Sequence, residues 1–338
     1  MNIRGKIGEK EGVALVLALL FVVLLTVIVV EYTYETHVDA AFVQGYRNQL
    51  EAHVAARSAV AYGISLLASD VADVAQEGLG GGAEYDSLED VWAFGVPYQP
   101  INDGVMQCRI EDEYGKLALN ALLSPDGSDE NTVLIEALRV LFELRGAEHD
   151  PVDAILDWID PYDETRPDGA GNELYQSLEI PYSSKNAPMD SVEELLLIEG
   201  VTPQVYFGDP ELEQRPLNEL LTVRGHPQGW VNVNTAPYEV LEALGQALDG
   251  RLAVADVVMR EREGQPFVDL DDIQSRGVYT PVEGEESTQR MLYTRSRVFK
   301  VIGDGVAGNT GVRAEALVWR GDEPGPGNLR ILDWRLIR

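Results

Sequence analysis

The most apolar stretch of the sequence covers residues 13–30, where Thr26 is the single polar side chain among eighteen residues. At 1.5 Å per residue, a helix of this length comes close to crossing the hydrocarbon core of a bilayer. From residue 31 to about residue 69, apolar residues recur at three- and four-residue steps without a proline, which is typical of an amphipathic helix. The two stretches together predict one long N-terminal helix that is apolar first and amphipathic afterwards.

Alternating apolar and polar residues predict strands in two later parts of the chain. Residues 105–113 form the first, and the second comprises a hairpin of residues 296–302 and 311–319 with a last strand at 329–336. Residues 92–98, just before the first strand, are expected to form a covered loop with aromatic anchors.

The block between these strand-forming parts has a helical pattern interrupted by proline and glycine. The expected helices cover residues 132–145, 151–160, 191–199, 235–248 and 253–263. A helical block set between strands predicts an α+β fold with a large inserted all-α domain.

Two groups of small residues suggest close packing or tight turns. Ala55 and Ala56, with residues 59–61, would let neighbouring helices approach the long helix closely. Residues 303–308 match the glycine pattern of dinucleotide-binding loops, but such a loop must open a helix, and here another strand follows. We therefore interpret these glycines as belonging to the turn of the hairpin.

Charge and composition exclude several functions. The formal net charge of −31 repels phosphate backbones, which argues against nucleic-acid binding. Cys108 is the one cysteine, so the chain forms no internal disulfide, and its place in an apolar strand predicts a buried thiol. Neither H-E-x-x-H nor G-x-S-x-G occurs, and the four histidines are scattered, so we do not expect an enzyme.

The residues before the apolar stretch form a short leader. Residues 1–12 carry three basic and two acidic side chains and end at Gly12, directly against the apolar stretch. The positive charge predicts that Met1 stays on the cytoplasmic side. Small residues that would mark a signal-peptidase site do not follow residue 30, so the apolar segment should be retained.

This leader resembles the class III signal of type IV pilins and type II secretion pseudopilins. The resemblance implies cleavage by prepilin peptidase between Gly12 and Val13, followed by N-methylation of Val13. Pilins usually carry a glutamate at the fifth mature position, which is Leu17 here. Within the pseudopilin families, the absence of that carboxylate is typical of the K class of minor pseudopilins, which is thought to cap the fibre.

Two later segments extend the resemblance to the K class. Residues 111–122 resemble the segment in which the first strand of these pseudopilins leaves for an inserted helical domain. Residues 231–273 resemble a helix-hairpin-helix repeat, but an aspartate, Asp249, stands in the hairpin where a phosphate would bind. The scaffold of that repeat is retained and its phosphate clamp is lost.

An acidic segment suggests a metal site. Residues 150–199 hold thirteen acidic residues against two basic ones. Asp157 and Asp160 lie three apart on one helix face, and Pro161 then turns the chain so that Asp163 and Glu164 can converge on them. Oxygen ligands of this kind suit calcium, although the spacing is not that of an EF-hand. The alternative is an acidic solvated loop in which Trp158 anchors the core.

The same segment resembles the calcium loop of K-class pseudopilins. The resemblance favours calcium as a structural cofactor and adds Glu173 to the candidate ligands Asp157, Asp160, Asp163 and Glu164.

The resemblance covers nearly the whole chain and gives it a domain order. The expected parts are a leader (1–12), a transmembrane segment (13–30), a pilin-like part (31–123), an inserted helical domain (124–290) and C-terminal strands that complete a small antiparallel sheet (291–338). The implied protein is a non-enzymatic tip subunit of the type II secretion pseudopilus, anchored once in the bacterial inner membrane with its C-terminal domain in the periplasm. Its implied partners are the I- and J-class minor pseudopilins. A type IV pilus or competence minor pilin and a signal-anchored periplasmic protein are the alternatives.

Overall fold

The computed structural model describes residues 7–77, 85–162, 164–249, 253–278, 291–321 and 328–337. Helix α1 (Ile7–Glu77) has 71 residues, which corresponds to a length of about 105 Å. It is the one helix in these ranges that is long and apolar enough to cross a membrane. The predicted long N-terminal helix is therefore confirmed, and it continues past residue 69.

Eight further α-helices and nine strands follow within the described ranges. The helices are α2 (Val91–Phe94), α3 (Thr132–Leu144), α4 (Val152–Ile159), α5 (Asn172–Gln176), α6 (Pro203–Phe207), α7 (Tyr238–Asp249), α8 (Ala253–Gly264) and α9 (Leu270–Ser275). The strands are β1 (Val96–Ile101), β2 (Gly104–Asp112), β3 (Leu117–Ala118), β4 (Leu221–Thr222), β5 (Val231–Asn232), β6 (Leu292–Tyr293), β7 (Val298–Ala307), β8 (Thr310–Arg320) and β9 (Leu329–Ile337).

Five of these strands form one antiparallel sheet in the order β1-β2-β7-β8-β9. The other four form two short parallel pairs, β3 with β4 and β5 with β6. The chain leaves the sheet at the end of β2 and returns at the start of β7, and most of the regular secondary structure described between them is helical. This arrangement confirms the α+β fold with a helical insertion.

Helix α1 packs on the sheet through small residues on both sides of the contact. Ala52 and Ala56 are fully buried, and they lie against Gly305 and Gly303 of β7. A Cβ atom on either glycine would overlap a backbone oxygen of α1. The prediction that the glycines of residues 303–308 form the hairpin turn is confirmed for Gly308 but was wrong for Gly303 and Gly305. These two lie inside β7 and leave room for the helix.

The alanines of α1 also serve a different contact from the predicted one. Ala56 and Ala59 are buried in the core between α1 and the sheet, and Ala55 is buried beside Gly305 of β7. These alanines therefore admit the chain's own strands rather than a neighbouring helix.

The inserted segment has a separate hydrophobic core. Large side chains from several helices and connections are buried there, including Phe142, Trp158, Tyr206 and Phe267. Helix α3 packs on α7, and α7 packs on α8. The insertion therefore has the core of an independent domain rather than that of an extended loop.

Two local predictions were wrong. Residues 92–98 contain the short helix α2 and the beginning of β1, which the sequence pattern did not indicate because Pro97 and Pro100 interrupt it. These prolines are tolerated because β1 is an edge strand, whose outer N–H groups need no partner. The expected α-helix at residues 191–199 is a 3₁₀ helix, Val192–Leu197, although its predicted capping box is present.

Candidate functional site

The acidic loop that the sequence singles out begins at the end of α4. Asp157 lies on the last turn of the helix and Asp160 is its C-terminal cap, with the extended backbone that the following proline requires. Both carboxylates are buried, at 4% and 6% exposure. Two buried carboxylates so close together require a cation or hydrogen-bond donors.

Arg166 supplies both. Its Nη1 lies 2.8 Å from Oδ1 of Asp157 and 3.2 Å from Oδ2 of Asp160. Its Nη2 lies 2.9 Å from Oε1 of Glu130, and its backbone N–H donates to Asp157. Partial burial lowers the pKa of the guanidinium, but hydrogen bonds to Glu130 and Asp157 raise it above its ordinary value, so Arg166 is a permanent cation here.

The two other predicted ligands that the structure describes, Glu164 and Glu173, are not part of this cluster. Glu164 and Glu173 are exposed, and Asp163 lies outside the described residues. Asp157 and Asp160 could therefore bind calcium only if Arg166 moved away from them. The calcium site remains a prediction. In the described structure, the guanidinium of Arg166 occupies the oxygens that calcium would bind.

Trp158 anchors this loop to the inserted domain. Its ring is 3% exposed and meets the ring of Tyr175 edge-on at 5.6 Å between centroids. Its indole Nε1 donates to Glu194 at 3.0 Å, and Lys185 donates to the same carboxylate at 2.7 Å. Trp158 is therefore a core anchor, as the alternative interpretation of the acidic segment expected.

A second polar cluster, which we call the joint, connects the inserted domain to the sheet. Asp112 ends β2 at the point where the chain leaves the sheet, and it is 7% exposed. Its Oδ2 accepts hydrogen bonds from Thr235 (2.6 Å), Asn232 (3.1 Å) and Ser296 (2.6 Å). One carboxylate therefore links the departing strand, the inserted domain and the segment that returns to the sheet.

The joint continues through a buried arginine. Arg320, at the end of β8, pairs with Asp70 of α1 at 2.9 Å and also with Asp86. The second oxygen of Asp86 accepts from the backbone N–H of Ser296 at 2.7 Å. The guanidinium lies 4.5 Å from the ring centroid of Phe299. Arg320 thus joins the far end of α1 and the connection that follows it to the sheet. Through Ser296, it also reaches the segment that returns to the sheet.

Carboxylates outnumber cations at the joint, and burial raises the pKa of two of them. Burial raises the pKa of Asp70 to about 7, with Asp90 and Asp86 adding to the shift and Arg320 opposing it. Burial likewise raises the pKa of Asp112 to about 6 against the hydrogen bonds that it accepts. Among the described residues, Asp70, Asp86 and Asp90 are the one group of at least three such side chains that could share an ion, with oxygens within 4.8 Å of one another.

The segment that resembled the K-class strand exit forms the edge of the same joint. Lys116 is buried between Glu113 (2.8 Å) and Glu111 (3.0 Å), and these two carboxylates raise its pKa despite the opposing effect of burial. Gly115 lies so close to Thr235 that a Cβ atom would come within 2.7 Å of its hydroxyl.

The residues of the joint could be found from sequence only in part. Asp112 belongs to a segment that was recognised, whereas Asp70, Asp86 and Arg320 lie far apart in the chain and carry no local pattern. Asp70, Asp86 and Arg320 come together only when α1, β8 and the connection that follows α1 are folded against one another.

The predicted processing residues lie on α1. Gly12, Val13 and Leu17 are all exposed, and Leu17 has 50% of its surface accessible. The buried charge clusters described above lie elsewhere in the chain. Cleavage and methylation therefore remain predictions.

The fold places this chain among pilin-like subunits that carry an inserted helical domain. It is similar to one chain of the crystal structure of the GspK–GspI–GspJ complex from the type 2 secretion system of enterotoxigenic Escherichia coli. The TM-score is 0.69 at 18% sequence identity, over 88% of this chain and 99% of that one.

Two family models, both described as type II secretion system protein K, match residues 115–207 and 231–291. Both matches fall in the inserted segment between β2 and β7. The chain belongs to the type II secretion system protein K family.

Two relatives agree with this assignment. The type II secretion system protein K of Pectobacterium carotovorum subsp. carotovorum is 23% identical over 60% of this chain, and a putative protein K of Escherichia coli K12 is 26% identical over 59% of it. The matches span 62% and 60% of those two proteins.

Proposed function

We propose that this chain is a minor pseudopilin at the tip of a type II secretion pseudopilus, where it assembles with I- and J-class minor pseudopilins. The observation that carries the proposal is the position of the inserted domain. Asn232 of the inserted domain donates to the backbone oxygen of Asp86, and Arg320 pairs with both Asp86 and Asp70. The joint thus connects the domain to Asp70, forty residues beyond the apolar segment of α1 and near the end of the helix farthest from the membrane segment. A bulky domain at that end leaves room for subunits below and little room above.

The surface of α1 supports assembly into a fibre. The large apolar side chains of residues 13–30 are all at least half exposed in the isolated chain. Such a surface requires lipid or other apolar helices as neighbours. The leucine at position 17 removes the carboxylate that, by the pilin resemblance, would pair with the terminal amine of another subunit. A subunit without that carboxylate suits the top of the fibre.

The proposal is tested by locating the chain in sheared pseudopili with gold-labelled antibody. We expect label at one end of each fibre and recovery of the I- and J-class minor pseudopilins with the full-length protein from detergent extracts. Label distributed along the shaft would contradict the tip position.

The N-terminus of the membrane-bound protein separates this function from a signal-anchored periplasmic protein. We expect mass spectrometry to find N-methylated Val13 as the first residue, after prepilin peptidase has removed residues 1–12. An intact leader would favour the signal-anchored alternative.

Calcium at the acidic loop is a second part of the proposal. Its support is the resemblance of the loop to the K-class calcium loop and the two buried carboxylates at the end of α4. When bound, the ion would neutralise Asp157 and Asp160 and fix the loop. Arg166 provides this neutralisation in the described arrangement, so the ion and the guanidinium would compete for the same oxygens.

A further inference from the structure

The last strand of the sheet presents an apolar surface that the described part of the chain leaves exposed. Strand β9 is an edge strand, and it pairs with β8 so that Ile331, Trp334 and Leu336 lie opposite Val318, Ala316 and Ala314. Those three residues of β8 are fully buried in the core under α1. Since paired residues of neighbouring strands point to the same face, Ile331, Trp334 and Leu336 lie on the α1 side of the sheet. We call these three residues the β9 ledge.

The ledge is open although its side chains are large. Ile331 is 56% exposed, Trp334 is 39% exposed and Leu336 is 37% exposed. Helix α1 packs on β2, β7 and β8, and its closest approach is to the glycines of β7. The ledge therefore lies beside the helix rather than under it.

The spacing of the sheet indicates what fits on this surface. Neighbouring strands are about 4.8 Å apart, so β9 lies roughly 10 Å from β7, over which α1 is centred. Packed helices have axes about 8–10 Å apart. A second helix packed alongside α1 would thus lie directly over β9, with its apolar side on the ledge.

Strand pairing is a poorer use of the same edge. The register between β8 and β9 shifts at Leu332, and such bulges twist an edge away from a partner strand. Asp333 and Arg335 are paired with each other at 2.8 Å on the strand, which adds charges that discourage edge-to-edge addition. A helix would pack on the apolar face without pairing with the strand edge, so neither the bulge nor the charged pair would hinder it.

We propose that the β9 ledge seats the N-terminal helix of a neighbouring minor pseudopilin, parallel to α1. This inference rests on the proposed function, because a partner anchored in the same membrane through an apolar helix would run beside α1 from the bilayer upward. Its amphipathic part would then reach the level of the sheet, where the ledge lies. The partner's helix would then contact α1 along its length and, at the level of the sheet, the β9 ledge as well.

The test compares two aspartate substitutions on opposite faces of one strand. Ile331→Asp places a charge on the ledge, whereas Ile337→Asp is the matched control, because Ile337 is 45% exposed and pairs with the exposed Arg313 on the outer face. The full-length variants are produced with the I- and J-class minor pseudopilins, and partner recovery is measured after detergent extraction. We expect at least a tenfold loss of one partner for Ile331→Asp and wild-type recovery for Ile337→Asp.

The other results have defined meanings. Wild-type recovery of the partners for both variants contradicts the proposal that the ledge seats a partner helix. Loss of a partner for Ile337→Asp alone places the contact on the outer face and contradicts the proposal as well. Loss for both, with unchanged melting temperatures, points to edge pairing and also counts against a helix. If the wild-type chain recovers no partner at all, the proposed function fails rather than this inference.

A cross-link identifies the part of the partner that is seated there. A photo-reactive phenylalanine analogue replaces Trp334 in full-length protein in membranes, and the control position is Tyr98, which is 64% exposed on the opposite edge strand β1. We expect cross-linked peptides from the N-terminal helix of the partner at position 334 and fewer at position 98. Peptides from partner strands, or equal yields at the two positions, would contradict the proposal.

Discussion

At the scale of single residues, space and charge explain positions that the sequence pattern left ambiguous. Gly303 and Gly305 looked like turn glycines in the sequence, yet they are strand residues that let the backbone of α1 approach β7. Arg166 looked like one of two isolated cations in an acidic segment, yet it lies between the two buried carboxylates. The role of the two glycines depends on α1, which is distant in the chain. The role of Arg166 depends on the loop path that brings it to Asp157 and Asp160.

Gly305 provides a direct test of the close approach. We expect Gly305→Ala to lower the free energy of unfolding by about 1–3 kcal/mol, because its Cβ atom would overlap the carbonyl oxygen of Ala52. Gly311→Ala in β8 is the control, since a Cβ atom there meets no atom within 4 Å, and it should change stability by less than about 0.5 kcal/mol. Urea unfolding of the full-length proteins in detergent measures both. Equal effects would contradict the packing argument.

Arg166 and calcium can be separated by competition. If calcium binds, chelator should lower the melting temperature of the wild type, and Asp160→Ala should abolish that sensitivity. Arg166→Gln should increase it, because the competing guanidinium is gone. An ion at a hundred times its dissociation constant stabilises by about 2.7 kcal/mol, which is readily measured. If calcium changes the melting temperature of neither the wild type nor Arg166→Gln, no ion binds there and the guanidinium alone balances these carboxylates.

At the scale of elements, periodicity predicted what is regular and missed what is irregular. Alternation located β2, β7, β8 and β9 within a few residues, because each has one face on the core under α1 or continues that face. It missed β1, whose two prolines break the pattern at an edge. It also assigned an α-helix to residues 191–199, because a capping box followed by apolar residues begins a 3₁₀ helix equally well.

The acidic loop was recognised only by its composition. The helix end that places Asp157 and Asp160 together followed from the three-residue spacing and the proline, but the position of Arg166 depends on the path of the loop through Gly169. There a Cβ atom would overlap Asp157, so this path requires glycine. Loop paths of this kind have no periodic signal in the sequence.

The contact between β8 and α1 depends on a buried ion pair. Arg320→Met should lower the free energy of unfolding by about 3–5 kcal/mol, because it leaves the buried Asp70 and Asp86 without their cation. Arg335→Met is the control, since its pair with Asp333 is half exposed and should contribute about 0–1 kcal/mol. Denaturant unfolding distinguishes the two, and a small loss for both would mean that water or protons stabilise the aspartates instead.

At the scale of the whole molecule, the joint makes stability depend on pH near neutrality. The pKa of Asp70 is about 7 in the folded chain and about 3.9 when unfolded, so the folded state holds an additional proton between these values. This proton on Asp70 makes its full contribution to the free energy of unfolding below about pH 4, and the contribution is lost as the pH rises through 7. The pKa of His226 is lowered to about 4 by burial and by Arg297, so His226 acts in the opposite direction below pH 6.5.

The clearest window therefore lies between pH 8 and pH 6.5. We expect the melting temperature of the wild type to rise as the pH falls through this window. Asp70→Asn should show a nearly flat profile there, because its side chain is neutral at every pH. Parallel profiles for the two proteins would refute the assignment to Asp70.

Asp112 of β2 pairs with Phe299 of β7, so the insertion leaves and re-enters the sheet at two adjacent strand ends. Directly paired residues in antiparallel strands have Cα atoms about 5 Å apart, a gap that a two-residue hairpin turn can close. Strands β2 and β7 are thus the two arms of one hairpin in which the inserted domain takes the place of the turn. A module mounted in this way can be exchanged or resized without changing the register of the strands that hold it.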